Sequence, residues 1–493
     1  MKIKYSKIIL TYIKMYNVNI YFSNKNIIKL ILLNEYHKKN INVILYKEHT
    51  QKILYNLKVK NMKTLDCHYE KIKNINHMQN LKRLSCSEKP LLDQNSIRKI
   101  TTLVKLSCNH NDKIKNVNHL KNLKILKCRV DSGIDQNGIN KITSIVKLDC
   151  DNNENFENIN HLRNLKKLSC CCESIDQNSI CKVSKIVELR CTDNNFIHDV
   201  NHMQKLKILY CYGVSGINQK GIKKITNLVE LHSCCNTKIS DVNHMKKLKI
   251  LGCSEGSNID QNGISKINSL IKLSCSNNTK IHSVNHMRKL KILLCEDKSG
   301  INQNGICFIT GIRILSCSNN KKIIDINHMK SLEHLFCKRK SGINQNGINQ
   351  ITSIVKLKCS HNEKIKNINH MQNLKELNCQ GFSGIDQNGI SQIMHIVKLN
   401  CSNNEKIKNV NHMKNLNKLN CQGYSGIDQE GICKITNLVE LNCAYNKKIC
   451  DINHMKKLVK LICDRNTGFV QNGINEIREN ITLYCSYNHD ILL

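Results

Sequence analysis

A segment that returns every 42 residues constrains this chain more than any other feature. The sequence LSCSNNTKIHSVNHMRKLKILLCEDKSGINQNGICFITGIRIL, at 273–315, recurs with substitutions along most of the 493 residues. One copy, LNCSNNEKIKNVNHMKNLNKLNCQGYSGIDQEGICKITNLVEL, lies 126 residues further on, three times 42. Repetition at a fixed period predicts a stacked array rather than separate globular domains. The single proline, Pro90, also argues against domains joined by proline-rich linkers.

Cysteines divide each period into two units. Twenty of the 28 cysteines follow an apolar residue by two positions, and their steps alternate between 20 and 22 residues with two slips. Ser233 fills the one missing position. Cysteine in such a pattern behaves as a small buried hydrophobe, and buried thiols are most easily maintained in a reducing compartment. We therefore expect an intracellular protein, with ladder cysteines at 67, 86, 108, 128, 150, 170, 191, 211, 253, 275, 295, 317, 337, 359, 379, 401, 421, 443, 463 and 485.

The sub-period separates this array from two other architectures that share its length. A period near 42 residues also suits armadillo repeats and WD40 propeller blades. Two strand-like segments per period are too few for a four-stranded blade. Armadillo units need long amphipathic helices, whereas each unit here spends about a third of its length on strand and turn.

The first unit of each pair reads L-x-x-L-x-C-x-x-N-x-x-I-x-x-I/V-N-H-M-x-x-L. This pattern resembles the leucine-rich repeat family. The resemblance implies a short parallel strand whose apolar residues point inward, followed by an asparagine that bonds backbone groups left unpaired by the bend. That asparagine stands at 111, 153, 194, 236, 278, 320, 362, 404, 446 and 488.

The second unit reads L-x-x-L-x-C-x-x-x-S-G-I-D/N-Q-N-G-I and is similar to the cysteine-containing repeat subclass. Asp or Asn before Gln-Asn-Gly-Ile predicts a capped short helix. The asparagine of the first unit is replaced here, because position 298 is Lys, 382 is Phe and 424 is Tyr. The turn geometry of every second unit therefore departs from the family pattern.

The resemblance implies an α/β solenoid, a leucine-rich repeat horseshoe or superhelix. Its concave face would carry a continuous parallel sheet, and its convex face short helices or 3₁₀ segments. We expect an array of about 20 units over residues 57–488, with a tail at 489–493. Residues 1–56 are predicted to form a degenerate N-terminal cap. The alternative is a small helical adaptor such as an F-box, although the Leu-Pro start typical of F-boxes is missing.

Most of the Cys, Asn and His residues that recur from copy to copy are predicted to have a structural role. We assign that role to Cys275, Cys295, Asn278 and Asn320. Ten histidines recur in the Asn-His-Met/Leu motif, but successive ones lie two strands apart, about 10 Å, which is too far to share a zinc ion. The remaining cysteines form no C-x-x-C pair. We expect no metal site, no cofactor and no enzymatic activity; the histidines are 77, 119, 161, 202, 244, 286, 328, 370, 412 and 454.

Residues on either side of the ladder cysteines vary between copies and should face the concave surface. At three ladder positions they combine aromatic, basic and polar residues, a mixture typical of interfaces. The candidate protein-binding residues are Tyr210, Tyr212, His334, Phe336, Lys338, Arg339 and Tyr445.

These features favour a non-enzymatic scaffold that binds a protein partner. A net charge of +38 leaves open charge-driven binding of nucleic acid or another polyanion. A third hypothesis is a ubiquitin-ligase adaptor acting through residues 1–56. The composition also resembles leucine-rich repeat proteins encoded by giant viruses of amoebae, which implies host cytoplasm or virion. The apolar stretch near the N-terminus is too short for a signal peptide or a membrane span.

Overall fold

The computed structural model describes residues 63–67, 72–88, 91–171, 173–464 and 467–485, together with the strand at 43–44. The chain divides into two compact units, Met1–Leu228 and Val229–Leu493. Apart from that strand, the predicted cap at 1–56 lies outside the described residues, as does the tail at 489–493. No helix in the described part of the chain is long and apolar enough to cross a membrane.

The first compact unit, Met1–Leu228, is built on a parallel sheet in which consecutive strands pair. Leucine faces leucine in successive strands; for example, Leu126 on β5 is in register with Leu148 on β6. The strands are β1 (Val43–Ile44), β2 (Thr64–Asp66), β3 (Arg83–Ser85), β4 (Lys105–Ser107), β5 (Ile125–Lys127), β6 (Lys147–Asp149), β7 (Lys167–Ser169), β8 (Glu188–Arg190) and β9 (Ile208–Tyr210).

The second unit repeats the arrangement with further parallel strands. Here too each strand pairs with the next, and Leu335 on β15 is in register with Leu357 on β16. The strands are β10 (Glu230–His232), β11 (Ile250–Gly252), β12 (Lys272–Ser274), β13 (Ile292–Leu294), β14 (Ile314–Ser316), β15 (His334–Phe336), β16 (Lys356–Lys358), β17 (Glu376–Asn378), β18 (Lys398–Asn400), β19 (Lys418–Asn420), β20 (Glu440–Asn442), β21 (Lys460–Ile462) and β22 (Thr482–Tyr484).

From β2 onward each strand is only three residues long, because the repeat supplies one inward leucine between two outward side chains. Alternation along a strand sends the central leucine into the core and its neighbours to the opposite face. Leu335 and the following Cys337 are fully buried, whereas His334 and Phe336 are partly exposed. The predicted leucine-rich repeat solenoid with a parallel sheet is thus confirmed.

Short helices occupy the back of the second repeat type, as the Asp/Asn-Gln-Asn-Gly-Ile motif predicts. The Asp260 carboxylate accepts a hydrogen bond from Gly263 N at 2.8 Å, which caps the helix that follows it. A Cβ at Gly263 would lie 1.9 Å from the Ser240 carbonyl oxygen, so the close stacking of repeats requires glycine there. The helices are α1 (Gln94–Ile97), α2 (Gln136–Ile139), α3 (Gln177–Ile180), α4 (Gln219–Ile222), α5 (Gln261–Ile264) and α6 (Gln429–Ile432), with 3₁₀ segments at Asn346–Ile348, Asn388–Ile390, Gln471–Gly473 and Arg478–Asn480.

Buried asparagines join neighbouring repeats. Asn278 Nδ2 donates to the carbonyl oxygens of Cys253 at 2.9 Å and Ile259 at 3.0 Å, and its Oδ1 accepts from Lys280 N. Asn320 makes the same set of bonds with Cys295 and Ile301, both at 3.0 Å. Each side chain therefore satisfies backbone groups that the turn would otherwise leave unpaired inside the protein.

The second repeat type replaces this asparagine with a buried serine one position later than the aligned residue. Ser299 is 1% exposed, and its Oγ accepts from Ile301 N at 3.4 Å and lies 3.9 Å from Cys275 Sγ. Lys298, at the aligned position, points into solvent. The N–H of Gly300 beside it donates to Asn278 O at 2.8 Å. A Cβ at this position would lie 2.5 Å from the carbonyl oxygens of Thr279 and Ile281, so the close stacking of repeats requires glycine there.

The recurring histidines stabilise the back of the solenoid. His286 Nε2 lies 3.1 Å from the carbonyl oxygen of Ile264, the last residue of α5. The same bond recurs in other copies, from 2.9 Å at His328 to 3.2 Å at His119. Because a carbonyl oxygen only accepts, the ring nitrogen donates, and it satisfies a carbonyl at the end of the short helix.

Candidate protein-binding face

The outward side chains of the strands change from copy to copy. We call this surface the sheet face: the two residues flanking the central leucine of each strand, and the residue after the ladder cysteine. Fixed backbone geometry places these side chains in straight columns, one strand spacing of about 4.8 Å apart. A binding site is therefore expected where side chains of neighbouring strands form a cluster that differs from the rest of the sheet face.

One such place lies on β15 and β16, and it includes four of the residues predicted from sequence. His334 and Phe336 are in register with Lys356 and Lys358 of the next strand. Lys358 Nζ lies 5.4 Å from the centre of the Phe336 ring, within reach of a cation–π interaction. Lys338 follows on the sheet face, and Arg339 lies in the exposed turn after it. We call these six residues the basic cluster.

The basic cluster carries positive charge that the protein itself does not neutralise. Burial lowers the pKa of Lys358, and the positive charges of Lys356 and Lys338 lower it further, against a smaller opposing effect of Glu376. Among the described residues, no carboxylate forms an ion pair with Lys338, Arg339 or Lys358, whereas Lys356 does pair with Glu376, at 2.6 Å. Like charges are thus held together on a partly desolvated surface.

Beside the cluster, charges alternate along the first outward column. Glu376 bridges Lys356 at 2.6 Å and Lys398 at 2.8 Å, and those hydrogen bonds lower its pKa to about 2. Glu440 in the same way lies between Lys418 at 2.7 Å and Lys460 at 3.5 Å. Each carboxylate is shared by two lysines, so this column is ordered and half of its positive charge is compensated.

The second outward column of the same strands is a row of amides. Asn400 Nδ2 donates to Gln380 Oε1 at 3.0 Å, and Asn442 Nδ2 donates to Gln422 Oε1 at 2.9 Å. The two columns together line a shallow groove of about 290 Å³ that extends from β16 to β21. Its floor is the row of strand leucines, and its walls present charged groups and amides in fixed positions.

The first unit contains a second cationic–aromatic cluster, which includes the predicted residues Tyr210 and Tyr212. The Arg190 guanidinium lies 4.1 Å from the centre of the Tyr210 ring, and the two tyrosine rings meet edge to face at 6.3 Å. Glu188 accepts from Lys167 Nζ at 2.7 Å and from Arg190 Nε at 2.9 Å. We call these five residues the tyrosine cluster; its carboxylate compensates much of the local positive charge.

The predicted residue Tyr445 does not join either cluster. It lies in the turn after β20 with φ of 60°, and its side chain is 51% exposed. Together with Tyr424, which is 80% exposed, it lines a separate groove of about 820 Å³ that also contains Asn403 and Lys447. The structure thus assigns Tyr445 to the edge formed by the turns rather than to the sheet face.

The predicted ladder residues are located in the interior, away from the sheet face. Cys275, Cys295, Asn278 and Asn320 are each at most 1% exposed. Burial raises the pKa of the Cys275 thiol to about 12, which keeps it protonated and unreactive. Throughout the described ranges, no group of three or more His, Cys, Asp or Glu side chains could hold a metal ion.

Comparisons with known proteins concern the fold. No protein-family model matches the chain, and no curated protein matches its sequence. Among solved structures, a leucine-rich repeat protein of Leptospira interrogans is 17% identical over 90% of this chain and 100% of that chain, with a TM-score of 0.35. The functional domain of InlJ from Listeria monocytogenes, which includes a cysteine ladder, is 20% identical over 81% and 79%, with a TM-score of 0.36.

A further similar structure is that of TLR13 in a complex with ssRNA13. It is 14% identical over 90% of this chain and 84% of that chain, with a TM-score of 0.49.

Sequence reasoning missed Lys356 and Lys358, which complete the basic cluster. The available signal was positional: Lys358 precedes its ladder cysteine by one residue, as Phe336 does, and lies 22 residues later. Applying one positional rule to neighbouring repeats would have found the pair. Their electrostatic coupling could not be found in that way, since it depends on which carboxylate each lysine reaches.

Proposed function

We propose that this protein is a non-enzymatic scaffold that holds a protein partner on the sheet face of its second unit. The observation that carries the proposal is the basic cluster at the end of an ordered, polar groove. Aromatic and arginine side chains are enriched among residues that dominate binding energy at interfaces. Side chains already fixed by hydrogen bonds and ion pairs lose little freedom on binding, which favours affinity.

The test is partner capture with matched variants. The full chain would be immobilised and exposed to amoebal lysate at about 150 mM salt, chosen because of the resemblance to giant-virus proteins. We expect at least one partner to be retained by the native chain and by Phe308→Ala, an exposed ring outside the sheet face. The double variant Phe336→Ala/Arg339→Ala should retain at least tenfold less, about 1.4 kcal/mol. Equal retention by both variants would count against the proposal.

The same proposal includes a location inside a cell, in host cytoplasm or a virion. The buried free thiols of the ladder support a reducing compartment. Fractionation of infected or expressing cells would check it, and recovery of the protein only outside cells would contradict it.

Charge-driven binding of a polyanion is a second candidate function, favoured by the net charge of +38. It predicts a steep loss of affinity between about 50 and 200 mM salt, because phosphate contacts release counterions. Binding to a protein partner in the groove should depend less on salt and more on Phe336. Only 4% of the residues are aromatic, which leaves few rings for base stacking.

The adaptor hypothesis concerns residues 1–56, most of which lie outside the described ranges. If that segment recruits a ubiquitin ligase, deleting it should abolish the ligase interaction while capture through the sheet face persists. An intact ligase interaction after the deletion would rule the adaptor out.

A further inference from the structure

The basic cluster differs from the rest of the groove in how its charge is balanced. Along β16–β21, Glu376 and Glu440 each bond two lysines, so cations there have partners within the protein. At the cluster, Lys358 faces outward on β16, Lys338 follows β15, and Arg339 extends the positive surface into the following turn. The second outward column then continues as neutral amides from β17 to β20.

Holding these cations together has an energetic consequence. Lys358 is half-buried against the Phe336 ring, so it has lost part of its hydration, and the charges of Lys356 and Lys338 repel it. The interaction between charges strengthens as water is excluded. An anion that binds here would relieve the repulsion and replace the lost hydration, which gives the cluster a preference for negative charge.

We propose that the basic cluster binds an acidic segment of the partner protein, with at least two carboxylates reaching Lys338, Lys358 and Arg339. This inference rests on the proposed scaffold function and names the chemistry of the partner. Carboxylates can bridge neighbouring cations in this protein, as Glu376 does between two lysines. The partner would supply the acid that the second column lacks at β15 and β16.

The surroundings favour a short acidic segment over a nucleic acid. Acidic side chains flank the cluster in both directions: Glu296 and Asp297 follow β13, and Glu376 and Glu440 lie on β17 and β20. A phosphate backbone that crosses successive strands would meet these carboxylates, and the lysines it would meet on β18 to β21 are already paired with Glu376 and Glu440. A peptide with its charges confined to the cluster would not, and its backbone could bond the neighbouring amides, such as Asn378 and Asn400.

The test is calorimetric titration of the full chain with hexaglutamate, with hexaglutamine as the uncharged counterpart, at about 150 mM salt. We expect hexaglutamate to bind and hexaglutamine not to bind. Lys338→Gln and Lys358→Gln should each weaken hexaglutamate binding about tenfold, as for loss of a hydrogen bond to a charged group. Lys418→Gln is the matched control, a lysine of the same face already bonded to Glu440, and should weaken binding less than twofold.

Three results would overturn the proposal: no binding of hexaglutamate, equal weakening by Lys418→Gln, or displacement of hexaglutamate by an oligothymidylate that binds more tightly and depends on the same lysines. Partner capture keeps this outcome separate from the scaffold function. If Phe336→Ala/Arg339→Ala loses the captured partner while Lys338→Gln and Lys358→Gln retain it, the acidic segment is wrong and the scaffold stands. If none of the variants loses a partner, the scaffold function itself fails.

Discussion

The tyrosine cluster of the first unit and the basic cluster of the second resemble each other in one contact and differ in how their cations are paired. In each, a cation lies over an aromatic ring on the sheet face, Arg190 over Tyr210 and Lys358 over Phe336. Glu188 bonds both cations of the tyrosine cluster, whereas Glu376 bonds Lys356 but not Lys358. We therefore expect the two clusters to differ in affinity for anions, because the carboxylates that pair with the cations leave different amounts of positive charge unpaired.

The largest expected effect is on the free energy of unfolding, and it tests whether the core beneath the two clusters contributes equally to stability. Leu209→Ala and Leu335→Ala remove fully buried side chains directly beneath the two clusters. Each should lower the free energy of unfolding by about 2–5 kcal/mol, because a cavity is left in a close-packed core. Urea unfolding followed by circular dichroism would measure this, with Leu209→Met and Leu335→Met as milder controls. A large loss at only one position would show that the two sites differ in the core as well.

Acid should affect the compensated column through Glu376. Lysine hydrogen bonds lower its pKa from 4.5 to about 2 in the folded protein. A depressed carboxyl pKa contributes stability that is fully present above about 4.5 and is lost as the pH falls toward 2. Allowing for solvent screening, Glu376→Gln should lose on the order of 1 kcal/mol at pH 7.

The difference between native chain and Glu376→Gln should then shrink as the pH falls from 4.5 to about 2, in unfolding curves recorded at several pH values. Glu405→Gln, an exposed carboxyl in the same unit, serves as control. A difference that is constant with pH would show that the lysine bonds do not hold Glu376 ionised.

Amine labelling compares the two clusters directly. Burial and neighbouring lysines lower the pKa of Lys358, so more of it is uncharged and nucleophilic at mildly alkaline pH. Lys167 of the tyrosine cluster is instead bonded to Glu188 at 2.7 Å. We expect Lys358 to react faster with an amine-selective reagent at about pH 8, because a lowered pKa leaves a larger uncharged fraction. Peptide mass spectrometry would give both rates, and equal rates would remove the electrostatic distinction.

The smallest expected effect comes from a substitution that leaves the cations of the tyrosine cluster unpaired, like those of the basic cluster. Glu188→Gln leaves Lys167 and Arg190 without their shared carboxylate, so the tyrosine cluster should acquire affinity for hexaglutamate. Partly exposed ion pairs contribute about 0.2–1 kcal/mol, and the gain should be no more than about fivefold. Calorimetry would detect it as an added weak binding event. Tyr212→Ala, which keeps Glu188, should show no gain; a gain in both would point to a cause other than charge.

The fold could be predicted from the sequence because the spacing within each repeat indicates which residues are buried. The interval between ladder cysteines predicts the strands, and the leucine between two variable residues predicts which side chain is buried, as at Leu335. Sequence reasoning also placed His334, Phe336 and Lys338 on the sheet face. It assigned no residue to the role of Asn278 in the second repeat type, where Lys298 is at the aligned position and Ser299 is the residue that turns inward.

What the sequence by itself determined is the architecture: period, inward leucines, buried cysteines and asparagines, and the helix-capping motif all follow from local spacing. Only the tertiary structure decided the electrostatics of the sheet face. Lys356 and Lys358 look alike in the sequence, yet one reaches Glu376 and the other lies over Phe336. Charges interact across strands about 4.8 Å apart, between residues some 20 positions apart in the chain, so their balance is a property of the stacked repeats.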